Sequence, residues 1–228
     1  MSQTNRMKIE MHAHTSETSP CGSVPADTAV REYARAGYGG MVITDHFNSY
    51  VLESFPGSAR EKVDRYLAGY DRAAETGAKV GVTVLLGAES CIVGGPEDFL
   101  IYGIERDFLY EYPRLYAMTQ QEVYKACQDY GAMLYQAHPC RGPGYCNPRD
   151  PAFLDGVEVY NGNVRHQNDN PSAAAFAKKH GLRISSGSDY HEHEDLARGG
   201  LILPSPVAGN ADLLEAMKHG GFQLIQTA

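Results

Sequence analysis

Apolar positions in this chain fall into short continuous runs, and between them lie stretches where apolar residues recur at helical spacing. Lys8 to Met11 predicts a first strand, Gly40 to Thr44 a second, Lys79 to Gly87 a third and Phe99 to Ile104 a fourth. Ala132 to Ala137, Gly156 to Tyr160 and Arg183 to Ser186 continue the series, and Leu201 to Leu203 is a candidate eighth strand. Helical spacing marks Asp27 to Ala36, Ala59 to Thr76, Thr119 to Tyr130, Pro171 to His180 and Ala211 to Lys218. Thr119 and Glu122 form a capping-box pattern, and Gly37, Gly131 and Gly181 stand where helices stop. Alternating strands and helices, with short and mostly apolar strands, predict a parallel sheet covered by helices. Seven or eight such units in 228 residues favour a TIM-like α/β barrel over an open sheet, irregular where the helix after the fourth strand is poorly defined. No linker rich in Pro, Gly or Ser divides the chain, so residues 1–228 are expected to form one domain. Cys140 to Pro151, with three prolines and two glycines, predicts a long functional loop.

Composition narrows the functions. The net charge is −8, which disfavours wrapping duplex nucleic acid but leaves room for a small anion held by local cations. No apolar run is long enough to span a membrane, and the stretch Met1 to Lys8 is too polar for a signal peptide. Five scattered cysteines, Cys21, Cys91, Cys127, Cys140 and Cys146, contain no CxxC pair. Reduced thiols and a cytoplasmic location are expected; the thiolates are metal-ligand candidates without the spacing of a structural zinc site.

The chemistry-bearing residues cluster at strand exits. His12 and His14 follow the first strand, Asp45 and His46 the second, Glu89 the third, and His138 the fifth. Glu158 and Asn161 end the sixth, and Asp189 and His191 follow the seventh. In a parallel barrel those ends converge on one face. In extended chain, residues two apart point to the same side, so His12 with His14, and Asp189 with His191, can each aim at one point. Imidazoles and carboxylates gathered in this way suit divalent transition metals such as Mn, Zn or Fe, and a carboxylate at Glu89 can bridge two ions. Asp45, next to His46, is equally suited to orienting a histidine. His180 and His219, at helix ends, are expected to be structural or solvated.

Four motifs in this order, "HAHTSE", "VITDH", "GAE" with the later "AHP", and "SDYH", resemble the PHP superfamily, named for polymerase and histidinol phosphatase. The resemblance covers roughly Met7 to Gly199. It implies a distorted barrel of seven strands with a cluster of two or three metals. It places one ion on His12, His14, Glu89 and Asp189, a second between Glu89 and His138, and a third on His46 and His191. Two departures stand out. Thr18 to Ser23 lacks the additional His or Asp that trinuclear members carry after the HxH motif, and the fourth strand leads into "YGIERD" without the histidine often found there. Glu17 and Glu105 are candidate substitutes, and a binuclear site is the alternative.

The resemblance implies a stand-alone metal-dependent phosphoesterase that uses a metal-bound hydroxide on a small phosphate ester. Glu89, Asp189 and His191 form the candidate catalytic set, with His191 or His193 as proton donor to the leaving group. Arg141, Arg198 and His193 are candidate substrate contacts, with Arg165 and His166 as weaker ones. Histidinol phosphate, a nucleotide, phosphotyrosine or another ester all remain open, as does the oligomeric state. Two other readings stand beside this one. One is an amidohydrolase-type C–N hydrolase, disfavoured because such enzymes commonly bridge their metals with a modified Lys and this chain has Glu89. The other is a non-catalytic metal-binding PHP module.

Overall fold

In a computed structural model describing residues 6–227, the apolar runs become ten strands. Residues 1–5, most of the polar N-terminal stretch, lie outside the described part. One sheet is ordered β10-β9-β1-β2-β3, from β10 (Gln223–Leu224), β9 (Leu201–Leu203), β1 (Met7–Ala13), β2 (Gly40–Ile43) and β3 (Thr83–Leu86). The other is ordered β4-β5-β6-β7-β8, from β4 (Ala88–Cys91), β5 (Asp98–Tyr102), β6 (Met133–Gln136), β7 (Gly156–Asn161) and β8 (Arg183–Gly187). Both sheets are mixed: β1, β2 and β3 run parallel, as do β6, β7 and β8, whereas β9 is antiparallel to β1 and β5 is antiparallel to β4 and β6.

The architecture is therefore α/β with two mixed sheets, and among the described residues no closed hydrogen-bonded barrel forms. The uniform βα alternation expected from the sequence breaks at β5, because the segment holding Gly94 and Gly95 returns the chain antiparallel after β4. Backbone hydrogen bonds stitch the two sheets at strand exits. His14 N donates to the Tyr190 carbonyl at 2.9 Å, and Tyr190 N donates to the His12 carbonyl at 3.1 Å. On the other side Phe47 N donates to the Glu89 carbonyl at 2.6 Å. Those stitches lie among the candidate ligands, so the place where the sheets meet is also where the chemistry-bearing residues collect.

Helices pack the outer faces. They are α1 (Ala26–Arg35), α2 (Ser49–Leu52), α3 (Ala59–Tyr66), α4 (Ala68–Val80), α5 (Arg106–Glu111), α6 (Gln120–Tyr130), α7 (Asn170–His180) and α8 (Asn210–His219) among the described residues. The single helix expected over Ala59 to Thr76 is two helices meeting at Leu67. At the junction Thr18 Oγ donates to the Tyr66 carbonyl at 2.8 Å, fixing the bend over the loop after β1. α4 also runs on to Val80 and stops at Gly81, whose φ of 77° suits a residue without a Cβ, so the third strand begins four residues later than expected. The box at Thr119 and Glu122 and the left-handed stops at Gly131 and Gly181 form as the sequence indicates. A core of Met11, Leu100, Tyr135 and Leu201 brings residues of the two sheets together, while Val30 and Tyr33 of α1 pack with Met41 and Ile43 of β2. No helix among the described residues is long and apolar enough to cross a membrane.

Candidate metal centre

β1 delivers His12 and His14 fully buried, because the strand continues extended through Ala13. Their neighbours decide how each ring is presented. His12 Nδ1 lies 3.0 Å from Glu158 Oε1, and a carboxylate accepts, so the Nδ1 position carries the proton and Nε2 keeps its lone pair. His14 Nδ1 lies 3.2 Å from Ser19 Oγ, whose own proton goes to Asp45 Oδ1 at 2.6 Å. His191 Nδ1 faces the Asp189 carbonyl at 2.9 Å. In all three rings Nε2 is left free as a donor, the arrangement that outer hydrogen bonds impose on metal-binding histidines.

The free nitrogens converge. His12 Nε2 and His14 Nε2 are 3.1 Å apart. The Glu89 carboxylate sits between the two sheets with each oxygen facing two imidazoles. Oε1 lies 3.3 Å from His12 Nε2 and 3.0 Å from His138 Nε2. Oε2 lies 3.3 Å from His14 Nε2 and 2.8 Å from His46 Nδ1. Asp189 Oδ1 is 3.5 Å from both His12 Nε2 and His14 Nε2. Three sets bring ligand atoms within 4.8 Å of one another: His12 with His14 and Asp189; His12 with Glu89 and His138; and His14 with His46 and His191.

Unpartnered atoms show that these donors suit a cation. Glu89 Oε2, His46 Nδ1 and His138 Nδ1 are buried without a hydrogen bond, although the first two are only 2.8 Å apart, because their alignment is wrong for one. Nitrogen lone pairs and carboxylate oxygens facing a common centre match the N/O set that divalent transition metals take.

Charge points the same way. Burial is the largest single influence and lowers His12 and His46, but Glu89, Asp189 and Glu158 together at His12, and Glu89 with Cys21 at His46, outweigh it and hold both well above the usual imidazole value. His191 is opposed by burial too, and hydrogen bonds to Asp189 and Cys21 carry it to about 10. His14, buried and facing His191 and His46, is pushed well below. Glu89 and Asp189 are held well below the carboxylate range, since the charge of His12 and the other cations outweighs their burial. The carboxylates demand positive charge, and protons on the imidazoles supply it where metal does not.

Backbone strain accompanies the site. His138 and Asp189 have φ of 29° and 51°, in the left-handed region that non-glycine residues rarely adopt. Both turn at the exits of β6 and β8, and strain of this kind is kept where surrounding contacts over-determine a functional geometry. At Gly187 a Cβ would lie 2.4 Å from the His12 Cβ and 2.7 Å from Glu158 Oε1, so only glycine allows β8 to approach that pair.

The remaining candidates divide. Arg141 reaches into the cluster, pairing with Asp189 Oδ2 and donating to Asn161 Oδ1 at 3.0 Å. Glu158 Oε2 accepts from His138 N at 3.0 Å and Asn161 Nδ2 at 2.9 Å, so both end-of-strand residues orient ligands. Asp45 also orients: it accepts from Ser19 and from Thr15 N at 2.7 Å.

Six candidates are not brought to the centre. The Glu17 carboxylate accepts from Ala26 N at 3.0 Å, capping α1 where Pro25 has no side-chain cap, and pairs with Arg72 at 3.3 Å. Glu105 precedes α5 and accepts from Asn210 at 3.0 Å. Because β5 is antiparallel, its exit leads away from the site, and Asp98 at its start lies near the cluster instead; burial and Glu89 raise its carboxyl to about 6. His193 is exposed and bonded to Glu32 at 2.8 Å. Arg198 donates to the Gly162 carbonyl at 3.0 Å, and Arg165 holds Asp195 at 2.8 Å, so both anchor loops. His166 is exposed.

Sequence reasoning missed Glu10, which is fully buried; it accepts from His12 N at 2.9 Å and Ser188 N at 2.8 Å, locking the exits of β1 and β8 together. An acid two residues before His12 on the same side of a strand was the available signal. Cys21, singled out in the sequence only as one of five scattered thiols, lies in the loop between Ser19, which accepts from His46 N, and Ser23, which donates to the His191 carbonyl. Burial raises that thiol, and the two imidazoles outweigh burial and bring it to about 6.

Residues 167–221 match the family model PHP_C, described as PHP-associated. No curated protein matches the sequence. A two-domain protein from Bacteroides vulgatus containing a predicted PHP-like metal-dependent phosphoesterase superposes with TM-score 0.71 at 17% identity, covering 97% of this chain and 65% of that one. The chain thus spans less than two thirds of that protein. A putative metal-dependent phosphoesterase from Bifidobacterium adolescentis superposes at TM-score 0.55 and 18% identity, covering 81% of this chain and 87% of its own. An amidohydrolase from Chromobacterium violaceum, with bound sulfate and no metal, gives 0.56 and 17%, covering 96% and 98%. The likeness in structure is one of fold. The PHP_C match covers residues 167–221 alone, and the structural neighbours, at 17% and 18% identity, share the fold.

Proposed function

We propose that the protein is a metal-dependent phosphoesterase acting on a small phosphate ester. The observation that carries this reading is the Glu89 carboxylate, with one oxygen facing His12 and His138 and the other facing His14 and His46. A carboxylate so placed suits two neighbouring cations held a short distance apart, the arrangement used for in-line displacement at phosphorus. His12, His14 and Asp189 would hold one ion, His138 with Glu89 a second, and His14, His46 and His191 offer a third position. Ions bound there supply Lewis acidity and activate a water at neutral pH.

The chain's own residues do the rest. Glu158, Asn161 and the Ser19–Asp45 pair fix the imidazoles in the tautomers that leave Nε2 free. Arg141 supplies the guanidinium nearest the centre, suited to phosphoryl oxygens as their charge builds up. His191, gathered with His14 and His46, acts as a ligand and then has no proton to give, and His193 is turned toward Glu32. The leaving oxygen accordingly takes its proton from water.

The test is phosphate release from a panel of phosphate monoesters and nucleotides with added Mn or Zn. Wild type should turn over at least one ester, and His12→Ala and Asp189→Ala should not; equal rates for all three proteins across the panel would reject the proposal.

A further inference from the structure

Asp189 reaches the cluster from a backbone conformation that an aspartate seldom takes, with φ of 51° at the exit of β8. The partners of its own carbonyl show what holds that turn. The Asp189 carbonyl accepts from His191 Nδ1 at 2.9 Å and from Asn163 Nδ2 at 2.9 Å, which fills both of its lone pairs. Asn163 is buried and lies two residues beyond the end of β7, in a stretch that none of the four motifs includes. Its amide has one orientation. Asn163 Oδ1 accepts from Arg165 N at 2.9 Å, so the oxygen end is fixed and the NH2 end faces Asp189. Its backbone is held as well: Asn163 N donates to Asn161 Oδ1 at 3.1 Å, and the Asn163 carbonyl accepts from Asn168 Nδ2 at 3.0 Å. Beneath it, Gly162 N donates to the Gly187 carbonyl at 2.9 Å, so the turns after β7 and β8 lie side by side. Asn163 Nδ2 is thus a fixed donor against which the strained turn rests.

We infer that Asn163 is a positioning residue of the metal centre, whose Nδ2 clamps the Asp189 carbonyl and thereby aims the Asp189 carboxylate at His12 and His14. The inference rests on the reading of the cluster as a metal centre. Asn163 acts through Asp189, since its amide nitrogen is spent on a carbonyl and has no lone pair to give to an ion. The left-handed turn is costly for a residue with a Cβ and persists only while its surroundings over-determine it. Without the clamp the backbone of residue 189 relaxes, and the carboxylate leaves its place 3.5 Å from both His12 Nε2 and His14 Nε2. Arg141 and Asn161 still reach Oδ2, but they grip the side chain and leave its backbone free. The same movement takes the carbonyl away from His191 Nδ1, so the outer group of donors loosens too.

The experiment measures how tightly the full-length protein holds Zn, by competition with a chromophoric chelator. It compares wild type, Asn163→Ala, Asn163→Asp, Asp189→Ala and the double variant Asn163→Ala with Asp189→Ala. Asn163→Ala should hold its tight ions roughly ten-fold or more weakly, as expected for loss of a residue that orients a ligand. Asn163→Asp keeps the shape and the bond from Arg165 N but has no donor for the carbonyl, and it should lose at least as much. That variant also carries the comparison if the alanine variant does not fold by circular dichroism. With Asp189 already replaced by Ala, removing Asn163 should change the affinity of the remaining tight ions by no more than about two-fold, because the residue it acts through is gone. A merely structural role would repeat its full loss in that background. Unchanged affinity in both Asn163 variants, or the full loss repeated in Asp189→Ala, would overturn the clamp while leaving the metal centre standing. Wild type binding no Zn at all would overturn both.

Discussion

The inner and outer parts of the cluster are built differently. At the inner part, His12, Glu89, His138 and Asp189 are all at most 5% exposed, and His12 is tied to a buried carboxylate, Glu158. At the outer part, the His46 side chain is 19% exposed, its Nδ1 has no aligned partner, and the neighbouring Cys21 is exposed. Inner donors are fixed before any ion arrives, so little ordering opposes binding there. Outer donors are placed by a loop and remain open to solvent. On the proposed reading as a metal centre, the inner positions would hold their ions tightly and the outer position would exchange its ion more readily.

The largest effect that would break this contrast is expected from His12→Ala. That change removes a donor common to two of the ligand groups and leaves Glu158 Oε1 without its partner. Metal content by mass spectrometry should fall by at least one tightly held ion, and phosphatase activity should be lost. Retention of all inner metal would sink the division into inner and outer parts.

Next comes Glu158→Gln, which keeps the shape but weakens the hold on His12 Nδ1 and on the His138 backbone. Metal affinity should drop by roughly 10- to 100-fold, with the fold intact by circular dichroism. An unchanged affinity would show that the inner rings are oriented by packing alone.

Third is pH. Glu89 keeps His12 and His46 protonated well above their usual range, and His191 titrates near 10, so metal must displace protons at neutral pH. Apparent affinity should therefore rise with pH and fall as pH is lowered from 8 to 6, by up to about ten-fold per pH unit for each proton released. Calorimetry in buffers of different ionisation enthalpy counts those protons, and a count of zero would contradict the charge balance described here.

The smallest effect is expected from Glu17→Ala. The α1 cap would be lost at a cost of about 1 kcal/mol, read as a lower denaturation midpoint, while metal content stays at the wild-type level. A loss of metal instead would return Glu17 to the ligand set.

Much of this arrangement was legible in the chain. Spacing of two in a strand put His12 beside His14, and the exits of β2, β6 and β8 supplied His46, His138 and Asp189. Strand direction was not legible. An apolar run reads alike in either direction: a parallel β5 would put Glu105 at the site end, whereas the reversed strand puts Asp98 there. The place of Cys21 was not legible either. It lies in a loop whose path is set by Ser19 and Ser23 bonding to residues 26 and 168 positions away.

The sequence by itself determined which atoms this protein has for chemistry, and on which strand ends they sit. That information is local, because backbone periodicity fixes the side to which a residue points within its own strand. Which lone pairs are free, which acids only orient, and which strand is reversed came from the tertiary structure alone. Those properties depend on partners far away in sequence, such as Glu158 for His12, Asp45 through Ser19 for His14, and Glu10 for the union of β1 with β8. A hydrogen bond assigns a proton to one nitrogen only when its acceptor is in place, and only the folded chain puts it there.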